Sequence, residues 1–389
     1  MRILFVCAAL AAGEYAASFV PTFAEAWPVA VLLTVIVALL GYGLFGRGAC
    51  PVLMFLLGFT LYLGASVESE RLYRVEPWMR NARRRARQES VQSPCVRAIR
   101  ADLSRRVGLG LASDCETAAL NRAILLGERA RLPPEIKEVF VSSGTMHVFA
   151  ISGLHVMAVA QVLAFLLALC GVPWRWTGAA AIPILWGYVV LIGNPPSAVR
   201  AALMASFSCL APVFWRRPNL LRAWALAFLA VHLCAPLMIA DVGNALSFAV
   251  MLALALVAEW GRRTGVRVPN WAVALVVWAA GVPIVAHVFG RVTPGGILAN
   301  LVLISAATWT VLSGVVGLLA SFLSETVAAH LNNLSALCTR TMVGVSELVA
   351  RLPGANFEVG NWTLFQCAEW YLLVALIAFL VHSMRSRRL

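Results

Sequence analysis

The sequence predicts an all-α, polytopic integral membrane protein. Of its 389 residues, 61% are hydrophobic and 13% are charged, whereas soluble domains are about 45–50% apolar and about 25% charged. Apolar runs close to the length that a helical span needs recur along the chain, and they predict roughly ten or eleven transmembrane helices. These runs lie near residues 2–22, 27–46, 50–66, 139–171 (interrupted), 176–194, 197–216, 219–238, 240–260, 270–290, 295–322 and 364–384.

The order of the runs divides the chain into three segments. Residues 1–66 are predicted to form N-terminal spans, residues 67–138 a basic polar segment, and residues 139–389 a transmembrane core. The first apolar run, from Ile3 to Ala12, has the length of a signal-peptide core. We favour a short first span, because another apolar run, from Trp27 to Phe45, follows at once.

The polar segment is rich in arginine. The chain has a net charge of +13, and Lys137 is its single lysine. One interpretation of the arginines is a basic helix that touches anionic lipid head groups, and the other is a surface that gathers nucleic-acid phosphates. Under both interpretations the predicted contacts are Arg83, Arg84, Arg85, Arg105 and Arg106. Cys95 and Cys115 lie in the same segment and could pair in an oxidising compartment.

A first group of polar residues interrupts the apolar run at 139–171. Its members are serines, glycines and histidines: Ser142, Ser143, Gly144, His147, Ser152, Gly153 and His155. This composition predicts a broken helix, with a half-helix, an unwound turn and a second helix from about residue 154. The exposed N–H groups at such a helix start suit an anion, for example a phosphodiester oxygen. The alternative is a structural role, in which both imidazoles bond to carbonyl groups of neighbouring helices.

A second and a third group carry opposite charges. Pro196 and its preceding proline stop one helix, and Ser197 is predicted as the N-cap of the next. Arg200 then lies one turn inside an apolar helix, where burial at the bilayer centre costs at least about 2.5 kcal/mol. Asp241 is the only carboxylate in residues 139–258 and is therefore its predicted partner. The alternative is an ion pair with a purely structural role at the membrane interface.

A fourth polar group and an amphipathic segment follow. Pro294 and two glycines break the chain before a span that contains Asn300, which could line a path or join helices by hydrogen bonds. The segment 324–352 repeats apolar residues every three or four positions, which predicts an amphipathic helix in the membrane interface that ends at Pro353-Gly354. The predicted apolar positions are Leu331, Leu334, Cys338, Met342, Val345, Val349 and Leu352, with Asn332 and Ser335 between them.

Taken in order, the four polar groups resemble those of the ComEC/Rec2 competence family. The matching residues are Gly144-Thr145-Met146-His147 through His155; Pro196, Ser197, Arg200, Ala201 and Met204; Asp241, Gly243, Leu246, Ser247 and Phe248; and Pro294 with Asn300. The resemblance implies a channel component that passes single-stranded DNA across the bacterial inner membrane during natural transformation. It also implies a homodimer and a path lined by His147, Ser152, Gly153, His155, Ser197, Arg200, Asp241 and Asn300.

The resemblance also indicates what other proteins must supply. Full-length family members carry an OB-type domain, and many carry a metallo-β-lactamase-like domain; we expect this chain to lack both. It has six histidines in no metal-binding cluster, and no Gly-Lys-Ser/Thr for a Walker A loop. We therefore predict no enzyme, no metal and no cofactor. The expected partners are single-stranded DNA, membrane lipid, and a separate ATP-driven motor and nuclease.

An alternative function and two orientations stay open. The alternative is a reduced paralogue that acts as a membrane transporter or scaffold for another anionic substrate. The positive-inside rule places the basic tail at 385–388 and the 67–138 segment in the cytoplasm. The family resemblance instead implies that the 67–138 segment lies outside the cell.

Overall fold

The computed structural model describes residues 94–111, 115–128, 132–149, 153–235 and 241–386. The predicted N-terminal spans at 1–66 lie outside the described residues, and so do Arg83, Arg84, Arg85 and Ser152. The described part is almost entirely helical and contains a single sheet of two short strands. This confirms the predicted all-α class.

Twelve α-helices and one 3₁₀ helix make up the described part of the chain. The α-helices are α1 (Pro94–Val107), α2 (Cys115–Leu126), α3 (Pro134–Ser142), α4 (Gly153–Leu169), α5 (Trp174–Leu191), α6 (Pro196–Leu210), α7 (Leu220–Cys234), α8 (Val242–Thr264), α9 (Asn270–Phe289), α10 (Gly295–Ala320), α11 (Glu325–Ala350) and α12 (Leu364–Ser386). The 3₁₀ helix is Met146–Phe149, and β1 (Arg291–Val292) pairs antiparallel with β2 (Phe357–Glu358). Each apolar run predicted from residue 176 onward corresponds to one helix. The first and last residues of each helix lie within six residues of the predicted bounds.

Three helices, α8, α9 and α10, are long and apolar enough to cross a membrane by length and composition. The described residues also include shorter apolar helices at His155–Leu169, Leu220–Cys234 and Leu364–Val374. Large apolar side chains are exposed on the surface of α10, among them Leu298 and Trp309. Such surface is unfavourable in water and neutral against lipid tails, so composition and exposed surface both indicate a membrane protein.

The chain divides into two compact units. Of the described residues, the first unit contains those at 94–98, 203–235 and 241–248, and the second contains those at 99–202 and 249–386. In the first unit, the indole N–H of Trp224 donates to the carbonyl of Phe248 at 2.9 Å, and the Trp224 ring stacks on Phe228 at 5.2 Å between centroids. This aromatic group joins α7 to the start of α8.

An antiparallel hairpin of α10 and α11 lies at the centre of the second unit. Contacts between the two helices occur along the whole hairpin, at Gly317 with Asn332, Thr310 with Ser335, and Gly295 with Val349. In the middle contact, the Ser335 hydroxyl donates to the Thr310 carbonyl at 3.2 Å. The Ser324 hydroxyl caps the start of α11 by accepting from the backbone N–H of Val327.

The structure confirms a helix over the predicted amphipathic segment, and the face that it buries against the protein is largely small and polar. The buried residues are Ala328, Asn332, Ser335, Ala336, Thr339, Met342, Ser346 and Val349. Of the predicted apolar face, Met342 and Val349 are buried, whereas Leu334 and Leu352 are exposed. Asn332 and Ser335, which lie between the apolar positions in the sequence, are both buried. Small polar residues join helices inside a membrane bundle, and leucine is favourable towards lipid.

Helix α2 packs against both helices of the hairpin. Gly314 on α10 leaves room for the Leu125 side chain, which would clash with any Cβ at that position. The Leu125 carbonyl in turn accepts from the Tyr188 hydroxyl of α5 at 2.9 Å. On the α11 side, the Thr339 hydroxyl donates to the Asn121 side-chain oxygen at 2.6 Å. These contacts bring α5, α10 and α11 together around α2.

Helix α12 packs against α9 by side-chain bonds to carbonyl groups near the middle of α9. The Trp370 indole donates to Ala279 at 2.9 Å, and the Tyr371 hydroxyl donates to Ala280 at 3.0 Å. An ion pair of Arg291 with Glu358 at 2.8 Å supports the small sheet between these helices.

Candidate functional site

The predicted helix break is present in the first polar group. Helix α3 ends at Ser142, Gly144 has a φ of +73°, and a 3₁₀ helix follows before α4 begins at Gly153. The amide of Thr145 donates back to the Phe140 carbonyl at 2.8 Å, which closes the end of α3 around the left-handed glycine. The half-helix and the second helix therefore lie where the sequence predicts them.

Three buried hydroxyl groups fix this turn to α11. The Ser143 and Thr145 hydroxyls lie 2.6 Å apart, and Thr145 is 3.2 Å from the Ser346 hydroxyl. All three residues are fully buried. Because a buried hydroxyl without a partner would be costly, this chain of bonds favours one position of the turn on the hairpin.

The turn also lies directly against the fourth polar group. A Cβ on Gly144 would lie 2.5 Å from the Thr293 hydroxyl oxygen, and one on Gly296 would lie 3.6 Å from the Gly144 carbonyl oxygen. At Gly295 a Cβ would meet Ala355 at 2.8 Å, and its amide donates to the Ala355 carbonyl at 3.1 Å. The glycines of the two groups thus permit a close backbone approach that the sequence alone did not predict.

Two of the predicted path residues, His147 and Asn300, meet beside this turn. The His147 ring interacts with the backbone of Gly144 and with the Asn300 side chain. The side-chain oxygen of Asn300 is buried. The first and fourth polar groups therefore adjoin each other at His147 and Asn300.

The first and second polar groups meet at the starts of α4 and α6. A Cβ on Gly153 would lie 3.7 Å from the Ala201 methyl group and 4.0 Å from the Met251 sulfur. His155 and Arg200 are both buried, with 1% and 5% of their surfaces exposed. The contact places one buried basic side chain on each of two adjoining helix starts.

The predicted N-cap at Ser197 was wrong. Helix α6 begins at Pro196, so Ser197 lies inside its first turn, and the carbonyl of Pro195 accepts from the amides of Ala198 and Val199. Proline is favoured at the first helical position because its missing N–H would have no intrahelical partner there. The preceding Asn194 has a φ of +52°, and its amide donates to Val189 at 2.9 Å, which ends α5.

The third polar group lies in the first unit and has a clear local role. Asp241 is exposed, and its carboxylate accepts from the Asn244 amide at 2.6 Å, as an N-cap of α8 does. The Asn244 side chain is 3.1 Å from the His232 ring, whose other nitrogen is 2.8 Å from the Phe228 carbonyl. His232, a fully buried histidine, was not predicted from the sequence. The available signal was a histidine within the apolar run of α7.

The two described arginines among the predicted phosphate contacts differ in their surroundings. Arg106 donates to Asp102 at 2.6 Å and to the Ser321 carbonyl at 3.0 Å, and its guanidinium lies 4.2 Å from the centre of the Phe322 ring. Arg105 also bonds Asp102, at 2.9 Å, but 68% of its side chain is exposed. Arg106 therefore connects α1 to the α10–α11 turn, and Arg105 is the more available of the two for a ligand.

Among the described residues, no group of three or more His, Cys, Asp or Glu side chains could hold a metal ion. Cys95 is an exposed free thiol.

Comparison with known proteins identifies the family. The family model described as "Competence protein" matches residues 124–384, which include all four polar groups. The chain belongs to the competence protein family. No solved structure matches it.

Three curated relatives show how much of the chain is shared. ComE operon protein 3 of Bacillus subtilis is 26% identical over 202 residues, 52% of this chain and 26% of the relative. Competence protein ComA of Neisseria gonorrhoeae is 35% identical over 173 residues, 40% of this chain and 24% of the relative. The uncharacterized protein YcaI of Escherichia coli is 26% identical over 272 residues, 64% of this chain and 35% of the relative. The match thus spans about a quarter to a third of each relative.

Proposed function

We propose that this protein is a channel component for the uptake of single-stranded DNA across the bacterial inner membrane during natural transformation. It is a multi-pass protein of that membrane and has no catalytic chemistry of its own. A separate ATP-driven motor and a separate nuclease act with it, and it works as a homodimer. The observation that supports this most directly is the family match, which covers all four polar groups in residues 124–384.

The second compact unit supplies the surroundings that an anionic polymer needs. Residues of three polar groups meet in this unit, at the turn around Gly144 and at the starts of α4 and α6. The start of α4 presents N–H groups and the positive end of its dipole to an incoming phosphate. Arg200 is buried beside it. Its charge therefore acts through a low-dielectric wall, where charge interactions are stronger than in water.

A complementation experiment tests this role. In a strain that lacks the gene, the wild-type chain should restore transformation, and Arg200→Gln should not, because Gln keeps much of the side-chain volume and removes the charge. We expect a loss of at least about tenfold in transformants, the effect of about 1.4 kcal/mol on a rate. Arg200→Lys keeps the charge and should retain more activity than Arg200→Gln. Membrane abundance is measured for each variant.

Arg262→Gln is the matched control. Arg262 bonds Glu259 at 2.8 Å with 67% of its side chain exposed, so its replacement removes one positive charge away from the site. It should transform like wild type. Full transformation by Arg200→Gln at normal abundance would remove Arg200 from the mechanism. A deletion strain that transforms normally, yet fails to transport another anion, would favour the alternative transporter.

A further inference from the structure

A basic pocket lies where α1 ends and α2 begins. Its volume is about 340 Å³, and it is lined by Arg105, Gly108, Leu109, Leu111, Ala118 and Arg122, among others. The described lining contains two arginines, of which Arg105 also pairs with Asp102, and its other side chains are apolar. Such a lining suits a ligand with a negatively charged group next to hydrocarbon.

Short contacts hold the Arg122 guanidinium in place at this pocket. Its Nε–H donates to the Ser104 carbonyl at 3.0 Å. Gly108 makes room for it, because a Cβ at that position would lie 2.5 Å from a terminal guanidinium nitrogen. A guanidinium has five N–H donors in a rigid fork that matches two oxygens of a phosphate. Arg105 adds a second, largely exposed guanidinium.

The pocket lies beside the turn of the α10–α11 hairpin. The Asn332 side chain donates to the carbonyls of Arg106 and Leu109 at 2.9 Å and 3.1 Å, and Gly110 packs on Ala329 of α11. Because α10 is a candidate span that ends at Ala320, its turn lies at a membrane surface when α10 crosses. The pocket then lies on the side of the membrane at which this turn emerges.

The same turn exposes large apolar side chains. Leu323 is 92% exposed and Phe322 is 62% exposed, and the Arg106 guanidinium lies over the Phe322 ring. Both residues follow Ser321, whose carbonyl accepts from Arg106, the neighbour of Arg105 in the chain. Arginine beside exposed aromatic and aliphatic groups is typical of protein surfaces at the boundary between head groups and hydrocarbon.

We propose that this pocket binds the phosphate of an anionic phospholipid head group, with the acyl chains lying along the exposed apolar surface of the α10–α11 hairpin. Arg105 and Arg122 contact the phosphate, and Leu109, Leu111 and Ala118 contact the glycerol region. A nucleic acid fits this pocket less well, since its described lining offers no aromatic ring on which a base could stack. The proposal holds whether or not the protein carries DNA.

Lipid titration of the full chain in neutral detergent tests the pocket, with bound lipid counted by native mass spectrometry. Phosphatidylglycerol should bind to the wild-type protein, and the Arg105→Gln/Arg122→Gln double variant should bind it at least about tenfold more weakly. Phosphatidylcholine should bind weakly to both. The matched control is Arg262→Gln/Arg263→Gln, which also removes two charges, from exposed arginines that pair with Glu259. It should bind phosphatidylglycerol like wild type.

Three results would overturn the proposal. Equal losses in the two double variants would indicate general surface attraction, and equal binding of phosphatidylcholine would indicate no head-group preference. Competition by an oligothymidylate at physiological salt, lost in the Arg105→Gln/Arg122→Gln variant, would assign the pocket to nucleic acid. Thermal melting in neutral detergent checks folding. If the double variant does not fold, the single variant Arg105→Gln is tested in its place, because the exposed Arg105 side chain bonds only Asp102 in the described structure. Unchanged phosphatidylglycerol binding by that single variant would contradict the proposal.

Discussion

A single residue, Gly144, determines where the helix in the first polar group ends. Its φ of +73° is a conformation that residues with a Cβ adopt at a cost of about 1 kcal/mol or more. A Cβ there would also lie 2.5 Å from the Thr293 hydroxyl oxygen. Backbone conformation and close packing therefore both favour glycine at this position.

Gly144→Ala should lower stability by about 2 kcal/mol or more, because it adds a steric clash to the backbone strain. The matched control is Gly171→Ala, since Gly171 has a φ of +81° but no neighbouring atom within 4 Å of the position that a Cβ would take. The control should lose only the cost of the strain, about 1 kcal/mol. Thermal melting of the purified proteins and their membrane abundance measure both effects. Equal losses would show that the contact with Thr293 contributes nothing.

The residues at this turn also show which features could be predicted from the sequence and which could not. Density of serine and glycine predicted the break between Ser142 and Gly153, because those residue types permit turns wherever they occur. The partners of the turn could not be predicted: Thr293 and Ser346 are distant in sequence, and only tertiary packing brings them to Gly144 and Thr145. His232 was missed for the same reason, since its partner Asn244 lies on another helix.

Among the helices, α11 shows why an amphipathic pattern alone did not give the buried face. The sequence predicted an amphipathic helix in the membrane interface, and its pattern does not say which face packs against other helices. In a bilayer, lipid solvates leucine well, and helices associate through small and polar residues. Accordingly Asn332, Ser335 and Thr339 are buried, while Leu334 is exposed. The period of the pattern predicted the helix correctly, and the surrounding solvent decides which face turns inward.

Arg106 joins helix α1 to the α10–α11 turn, and it also forms an ion pair with Asp102 inside α1 that should depend on pH. Hydrogen bonds from Arg106, and secondarily from Arg105, lower the pKa of the Asp102 carboxyl from its ordinary value of 3.8. A lowered folded-state pKa means that the contribution to stability is present above the ordinary pKa and is lost as pH falls through the lowered value. The bond of Arg106 to Ser321 depends on the same side chain.

Asp102→Asn should therefore melt at a lower temperature than wild type at neutral pH, and the difference should shrink as the pH falls below the ordinary carboxyl pKa of 3.8. Melting curves between about pH 7 and about pH 3 measure this. Arg106→Gln removes the Ser321 and Phe322 contacts as well, so it should remain less stable than wild type over the whole range. A constant gap between Asp102→Asn and wild type at every pH would contradict the role of the ion pair.

At the scale of the whole molecule, the packing of α11 against α10 determines how deep α11 lies in the membrane. Each helix has 26 residues, which gives a length of about 39 Å, more than the about 30 Å of a hydrocarbon core. Contacts from Gly317–Asn332 to Gly295–Val349 join the helices over that length. If α10 crosses the bilayer, α11 must occupy the same depths. Its exposed leucines then face lipid, and its buried polar face contacts α2 and α10.

Cysteine labelling can distinguish a crossing α11 from one that lies along the membrane surface. Leu323, Leu337 and Leu352 are exposed at the turn, near the middle of α11 and just beyond its end. If α11 crosses, a water-soluble maleimide should label Leu323→Cys and Leu352→Cys, and should leave Leu337→Cys unlabelled because it is in hydrocarbon. An interfacial helix would bury its apolar face at one depth, so the three positions would react alike. Mass spectrometry of the labelled peptides distinguishes the introduced cysteines from the native ones. On intact cells, a membrane-impermeant reagent should label only one end of a crossing helix.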